Sequence, residues 1–186
     1  MGYPSTPEVA VESESGEQDP TWFPDGDSIV FSSPLVGPQM RIASIDLRTR
    51  RVTTIPGSDG LFSPRLSPDA RFIVAMNSPQ SKLMLFDMEK QKWSQLFEPA
   101  HGGLGWPHWS GDSQFVYVSD EVDQHAPIVY RIHISDRKVE RVATLDVPNG
   151  LIGNFGGWMS TTADGTPLLL RDLEVEEIYA LDVDLP

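Results

Sequence analysis

Apolar residues along this chain fall in short runs that alternate with polar ones, and the runs come in groups that repeat. Ser28-Ile29-Val30-Phe31 follows Pro20-Thr21-Trp22-Phe23-Pro24-Asp25-Gly26. Phe72-Ile73-Val74-Ala75 follows Pro64-Arg65-Leu66-Ser67-Pro68-Asp69, and Phe115-Val116-Tyr117-Val118 follows Pro107-His108-Trp109-Ser110-Gly111-Asp112. A fourth, worn copy has Leu168-Leu169-Leu170 behind Met159-Ser160-Thr161-Thr162-Ala163-Asp164-Gly165. Runs of this length bounded by Pro, Asp and Gly predict strands closed by tight turns.

Each copy leads to a second apolar run, at 41–46, 83–87, 128–134 and 177–182, and the first three lead to a third strand-like segment at 51–55, 92–96 and 138–142. The unit is therefore four short strands with an Asp-bearing turn between the first two. Its aspartates Asp25, Asp69, Asp112 and Asp164 are spaced 44, 43 and 52 residues apart. A period of that size built from strands predicts an all-β β-propeller of four recognisable four-stranded blades, either a complete small ring or part of a larger one. The blades are expected at 19–57, 58–99, 100–147 and 148–186, behind a leader at 1–18. That leader carries a strand-like stretch at 9–12, read either as a strand that closes the fourth blade, hiding an open sheet edge, or as the end of a preceding blade.

One segment resists the pattern. Residues 81–97 contain good helix formers, and Leu83, Phe86, Trp93, Leu96 and Phe97 would line one helical face. The repeat register predicts strand, turn, strand instead, and register is taken to override local propensity.

The corner Trp22-Phe23-Pro24-Asp25-Gly26 and its echoes resemble the W-S-P-D-G signature of the TolB-like propeller repeat, also called WD40-like. The chain most resembles the C-terminal propeller of bacterial winged-helix regulators or serine/threonine kinases. The resemblance runs from about residue 19 onward. It implies a bacterial interaction or sensor module, or a propeller attached to a peptidase, and it says little about ligand.

Composition narrows the function classes. The 186 residues carry 14 Lys and Arg against 27 Asp and Glu, a formal charge of −13, and no basic-aromatic stripe, so no nucleic-acid partner is expected. The apolar runs fall far short of the roughly 20 residues of a spanning helix, so no membrane insertion is expected. The absence of cysteine excludes disulfides, thiolate metal sites and cysteine nucleophiles, and leaves the compartment open between periplasm and cytoplasm.

The chemistry-bearing residues read mostly as structure. One aspartate per blade at the same corner is spread around a ring, and such a corner uses the carboxylate to bond backbone N–H groups, so Asp25, Asp69, Asp112 and Asp164 are assigned to turns. Trp22 and Trp109 share a repeat position and are assigned to the core between blades. Asp120, Glu121, Asp123 and His125 form an acidic loop without the glycine and terminal glutamate of a calcium loop. His101, His108, His125 and His133 contain no H-x-x-x-H pair, and no G-x-S-x-G elbow occurs. No catalytic residue, metal or cofactor is expected.

A binding surface remains. If the first strand of each blade lines the central channel, as the resemblance implies, Arg65, Trp106, His108 and Trp158 gather at one mouth. They suit a protein or peptide partner or a small anionic ligand, unless the two tryptophans simply plug the channel. The reading is thus a non-catalytic module for protein–protein interaction or ligand sensing, within a larger bacterial protein. The alternatives are a propeller lyase or hydrolase and the gating propeller of a peptidase. A homodimer that completes a ring is a further arrangement left open.

Overall fold

A computed structural model describes residues 16–34, 39–100, 103–123, 125–147, 159–162 and 164–170. Four strands form the first blade: β1 (Gln18–Trp22), β2 (Ser28–Ser33), β3 (Arg41–Asp46) and β4 (Arg51–Thr54). The second comprises β5 (Leu61–Leu66), β6 (Phe72–Asn77), β7 (Leu83–Asp87) and β8 (Lys92–Phe97). The third comprises β9 (His108–Trp109), β10 (Phe115–Asp120), β11 (Ile128–His133) and β12 (Val139–Thr144). Each is an antiparallel sheet in which every strand pairs with the next in sequence. Of the fourth blade, the hairpin β13 (Met159–Thr161) and β14 (Pro167–Leu169) is described. The predicted strands at 9–12 and 177–182, and any closure between them, lie outside the described residues.

The repeat read from the sequence is a repeat of register. Trp22 pairs with Ile29, Leu66 with Ile73 and Trp109 with Val116. At each corner an N–H bonds the carbonyl five residues on: Phe23 to Ser28, Ser67 to Phe72 and Ser110 to Phe115. The fourth corner is one residue tighter, Thr162 bonding Thr166. Its frame therefore shifts by one, so that Pro167 pairs with Thr161 in the place where Ile29 pairs with Trp22.

The corners also explain their own sequence. The residue after each aspartate sits in the left-handed region: Gly26 at φ 76°, Ala70 at 58°, Ser113 at 61° and Gly165 at 84°. A left-handed residue costs an L side chain about 1–2 kcal/mol, which is why glycine recurs there. The carboxylate steadies the same turn by accepting an N–H from two residues on. Asp25 takes that of Asp27 at 2.9 Å, Asp69 that of Arg71 at 3.1 Å, Asp112 that of Gln114 at 3.0 Å and Asp164 that of Thr166 at 3.2 Å. The β3–β4 and β7–β8 turns use aspartate too: Asp46 accepts the N–H of Thr49 and Asp87 that of Lys90, each three residues on.

Residues 81–97 form β7, a turn and β8, as the register requires. Helical packing would have used Leu83, Phe86 and Trp93 on one stripe. In the sheet Phe86 pairs with Trp93, their rings 5.0 Å apart.

Blades stack face to face, and alternation divides each strand between two neighbours. In β6, Ile73 and Ala75 pack towards the first blade with Val30, Ile42 and Phe86, whereas Val74 and Met76 pack towards the third with Trp109, Val116 and Val118. A strand buried on both faces needs a continuous apolar run, and Phe-Ile-Val-Ala-Met provides one. The fourth strands β4, β8 and β12 are mostly exposed, whereas the first strands β1, β5, β9 and β13 lie side by side. Thr21 donates its hydroxyl to Pro64 O at 3.0 Å across the first such junction.

One assignment is corrected here. Trp109 is 6% exposed, stacks on Phe72 of the second blade (centroids 6.4 Å, planes 21° apart) and donates its indole N–H to Arg65 O at 2.9 Å. Trp22, at the same repeat position, is 59% exposed. This position packs on the blade ahead of its own, and among the described residues no blade stands ahead of the first. Repetition fixed the position of Trp22 in its sheet, but burial depends on a neighbour.

Candidate functional site

Arg65, one of the residues proposed for the channel mouth, sits on a kink that recurs in the first two blades. Within or just ahead of the first strand in each of the first three blades lies an X-Pro-X segment, Asp19-Pro20-Thr21, Ser63-Pro64-Arg65 and Trp106-Pro107-His108. In the first two blades it is bulged: pairing slips between Gln18 and Thr21 and between Phe62 and Arg65. Asp19 and Ser63, both at φ 52°, take up the strain. Proline is tolerated because a bulge frees a position from donating to the ladder, and the extra residue re-aims the side chains beside it.

Side chains of three blades meet here. The Arg65 guanidinium lies 3.7 Å from Asp19 Oδ1, its Nη1 bonds Pro64 O at 2.9 Å, and its Cζ lies 6.0 Å from the centre of the Trp106 ring. Burial pulls Arg65 below the ordinary arginine value while Asp19 pulls it back, and the group stays charged at any ordinary pH. Burial, then the charge of Arg65, also lowers the pKa of His108. Beside them Ser63 is fully buried and its Oγ has no hydrogen-bond partner. A buried hydroxyl without a partner costs about 1–3 kcal/mol.

Trp106 is 7% exposed, meets Phe62 edge to face (centroids 6.3 Å, planes 82° apart) and belongs to the core between the second and third blades. It backs Arg65 and presents little area of its own. Trp158 lies outside the described residues. Sequence reasoning placed Arg65 and His108 here, but it missed the Asp19 ion pair and the unpartnered hydroxyl of Ser63. Neither has a local signal, because each depends on how neighbouring blades abut.

The other candidates stay apart. In the acidic loop Asp120 accepts the Val122 N–H, Glu121 the Ser119 hydroxyl and Asp123 the His125 N–H, so each carboxylate serves its own turn. His133 bonds Asp136 at 2.7 Å. Among the described residues no three His, Asp or Glu side chains are grouped to hold a metal ion.

His108 gives the site a pH signature. Its folded pKa lies below the ordinary value, so the unfolded chain binds a proton that the folded chain refuses. Stability from this group is complete above the unfolded pKa near 6.5 and falls as pH drops towards the folded value, by at most about 1.4 kcal/mol per pH unit. Asp112, held low by the Ser110 hydroxyl and then the Gln114 N–H, and Asp164, held low by the Thr162 hydroxyl, act in a separate window below about pH 4. Urea midpoints between pH 7 and 5 are expected to fall in the wild type and to fall less in His108→Gln.

Stacked four-stranded antiparallel blades whose first strands run side by side define a β-propeller. Solved structures make the kind specific. TolB from Acinetobacter baumannii superposes with a TM-score of 0.67 over 89% of this chain and 40% of its own, at 19% identity. An oligogalacturonate lyase from Vibrio parahaemolyticus gives a TM-score of 0.56 over 66% of this chain and 38% of its own, at 15% identity. The β-propeller domain of the Trilobed protease from Pyrococcus furiosus gives 0.52 over 72% and 43%, at 17% identity. The fold is that of a TolB-like β-propeller, as the corner motif implied. The chain thus spans about two fifths of these proteins. No family model and no curated protein matches the sequence.

Proposed function

We propose that this propeller module is non-catalytic and recognises a partner through the mouth formed by Asp19, Ser63, Arg65 and His108, with Trp106 behind them. The observation that carries the reading is the convergence, on the first strands of three successive blades, of the Asp19 carboxylate, the charged Arg65 guanidinium and the neutral His108 imidazole, with the unpartnered Ser63 hydroxyl buried beside them. Of these the Ser63 hydroxyl lacks an acceptor, whereas Arg65 already donates to Pro64 O and faces Asp19. The Asp19 contact at 3.7 Å is loose enough for a ligand carboxylate to exchange with it. A peptide carboxylate bonded by Arg65 would supply a closer partner than Asp19 does.

The test is a ¹H–¹⁵N titration that follows the Arg65 Nε–H and the Trp106 indole N–H. A tripeptide with a free C-terminal carboxylate is added, then the same tripeptide as its amide. Saturable shifts are expected with the free acid alone, and they should weaken about tenfold in Arg65→Gln, the loss of one charge-assisted bond. Absence of shifts, or identical shifts with the amide, would remove the reading.

A second reading, a propeller lyase, draws on His108, since an imidazole kept neutral beside a guanidinium can accept a proton. Turnover of oligogalacturonate that disappears in His108→Gln would replace the binding reading.

A further inference from the structure

A separate groove of about 450 Å³ opens between the second and third blades, on the side of the Asp-bearing corners, and shares no lining residue with the mouth. Its walls carry four cations, Arg71, Lys90, Lys92 and Arg137, against two carboxylates, Asp69 and Asp87, in a chain whose formal charge is −13. Both carboxylates are already engaged. Asp69 accepts the Ser67 hydroxyl at 2.6 Å and the Arg71 N–H, and Asp87 accepts the Lys90 ammonium at 2.6 Å and two turn N–H groups. Arg71, Lys92 and Arg137 form no ion pair among the described residues.

Arg137 is the most constrained of these. It holds the left-handed place in its turn (φ 61°), as Arg50 and Gln91 do in theirs (60° and 52°). Its Nη2 donates to Ser94 Oγ at 3.1 Å across the blade junction, while its Nη1 is buried without an acceptor. Burial accordingly lowers its pKa.

The fold repeats this groove one blade on, which separates architecture from purpose. The groove between the third and fourth blades holds about 330 Å³ and, among the described residues, has Asp112, Asp164 and one cation, Arg131, on its walls. Arg131 is paired with Glu140 at 2.5 Å. The corner place held by Arg71 in the second blade is held by Gln114 in the third, and the place of Lys90 by Asp136. Among the described walls of these two grooves, the cations without an ion pair are those of the second junction.

We propose that the groove between the second and third blades docks an acidic peptide segment in which two carboxylate side chains flank an apolar one. Charge complementarity selects the carboxylates, with Lys92 and Arg71 on one wall and Arg137 on the other. The floor selects the apolar residue, because Phe72, Leu85 and Ile134 line it and an inorganic oxyanion would leave that surface uncovered.

The test is fluorescence anisotropy at low salt with the full chain and labelled Gly-Glu-Leu-Glu-Gly, against Gly-Gln-Leu-Gln-Gly. Binding of the glutamate peptide alone is expected, declining with ionic strength. It should weaken about tenfold in Arg71→Gln and in Lys92→Gln, exposed positions whose substitution leaves the core intact. Lys138→Gln, outside the groove, should bind as the wild type does. Equal binding of the glutamine peptide, or unchanged binding by both groove variants, would overturn the proposal. Equimolar displacement of the peptide by inorganic phosphate would also overturn it, marking a small-oxyanion site instead.

Discussion

Trp109→Ala is expected to destabilise the protein by about 3–5 kcal/mol, the range for deleting a large aromatic from a packed core. The loss combines two effects. Trp109 buries its ring against Phe72 across the blade junction, and its indole N–H satisfies Arg65 O at 2.9 Å, so the deletion opens a cavity and also leaves a carbonyl short of its donor. Trp22→Ala, at the same repeat position, is expected to cost less than about 1 kcal/mol, because its ring is largely in solvent. Urea denaturation of the two variants beside the wild type measures the difference directly. Equal losses would mean that the position matters through its own sheet, and the account of blade stacking given above would fall.

Ser58→Ala should produce the next largest loss, about 2 kcal/mol. Ser58 is buried in the crossing from the first blade to the second. Its Oγ accepts the Ile42 N–H at 3.0 Å and donates to Ile55 O at 2.7 Å. The serine thus splices the start of β3 to the segment that follows β4, where no strand is available to do so. Alanine fills the space but leaves the Ile42 N–H without a partner. Amide exchange at Ile42 should therefore accelerate by more than exchange at Val74, in the centre of the second blade. Uniform acceleration would assign the loss to global unfolding and remove the splice from the account.

Much of the fold was legible because its determinants are local. The corner aspartates bond N–H groups two residues on, the corner N–H bonds a carbonyl five residues on, and glycine or a small residue meets the left-handed place between them. A motif of seven residues contains all of that. The strands were equally plain, since each apolar run is bounded by such a corner. Residues 81–97 show the limit of local propensity: strand pairing overrode it, and the repeat rather than the composition indicated so.

The candidate site was legible only in part. Arg65 and His108 could be placed because their strands repeat in register. The bulge that brings Asp19 to Arg65, the hydroxyl of Ser63 left without a partner, and the surplus of cations at one blade junction carry no mark in any single segment. Trp22 and Trp109 show the difference most clearly, being alike in sequence and opposite in exposure.

The sequence by itself determined the strands, the corners and the order in which they pair, because each of those interactions closes within a few residues or with the next strand along. The tertiary structure alone decided which faces are covered and which charges meet. Those contacts join residues 43 to 44 positions apart, as in Thr21 with Pro64 and Trp109 with Arg65, and they exist only once one blade has stacked on another.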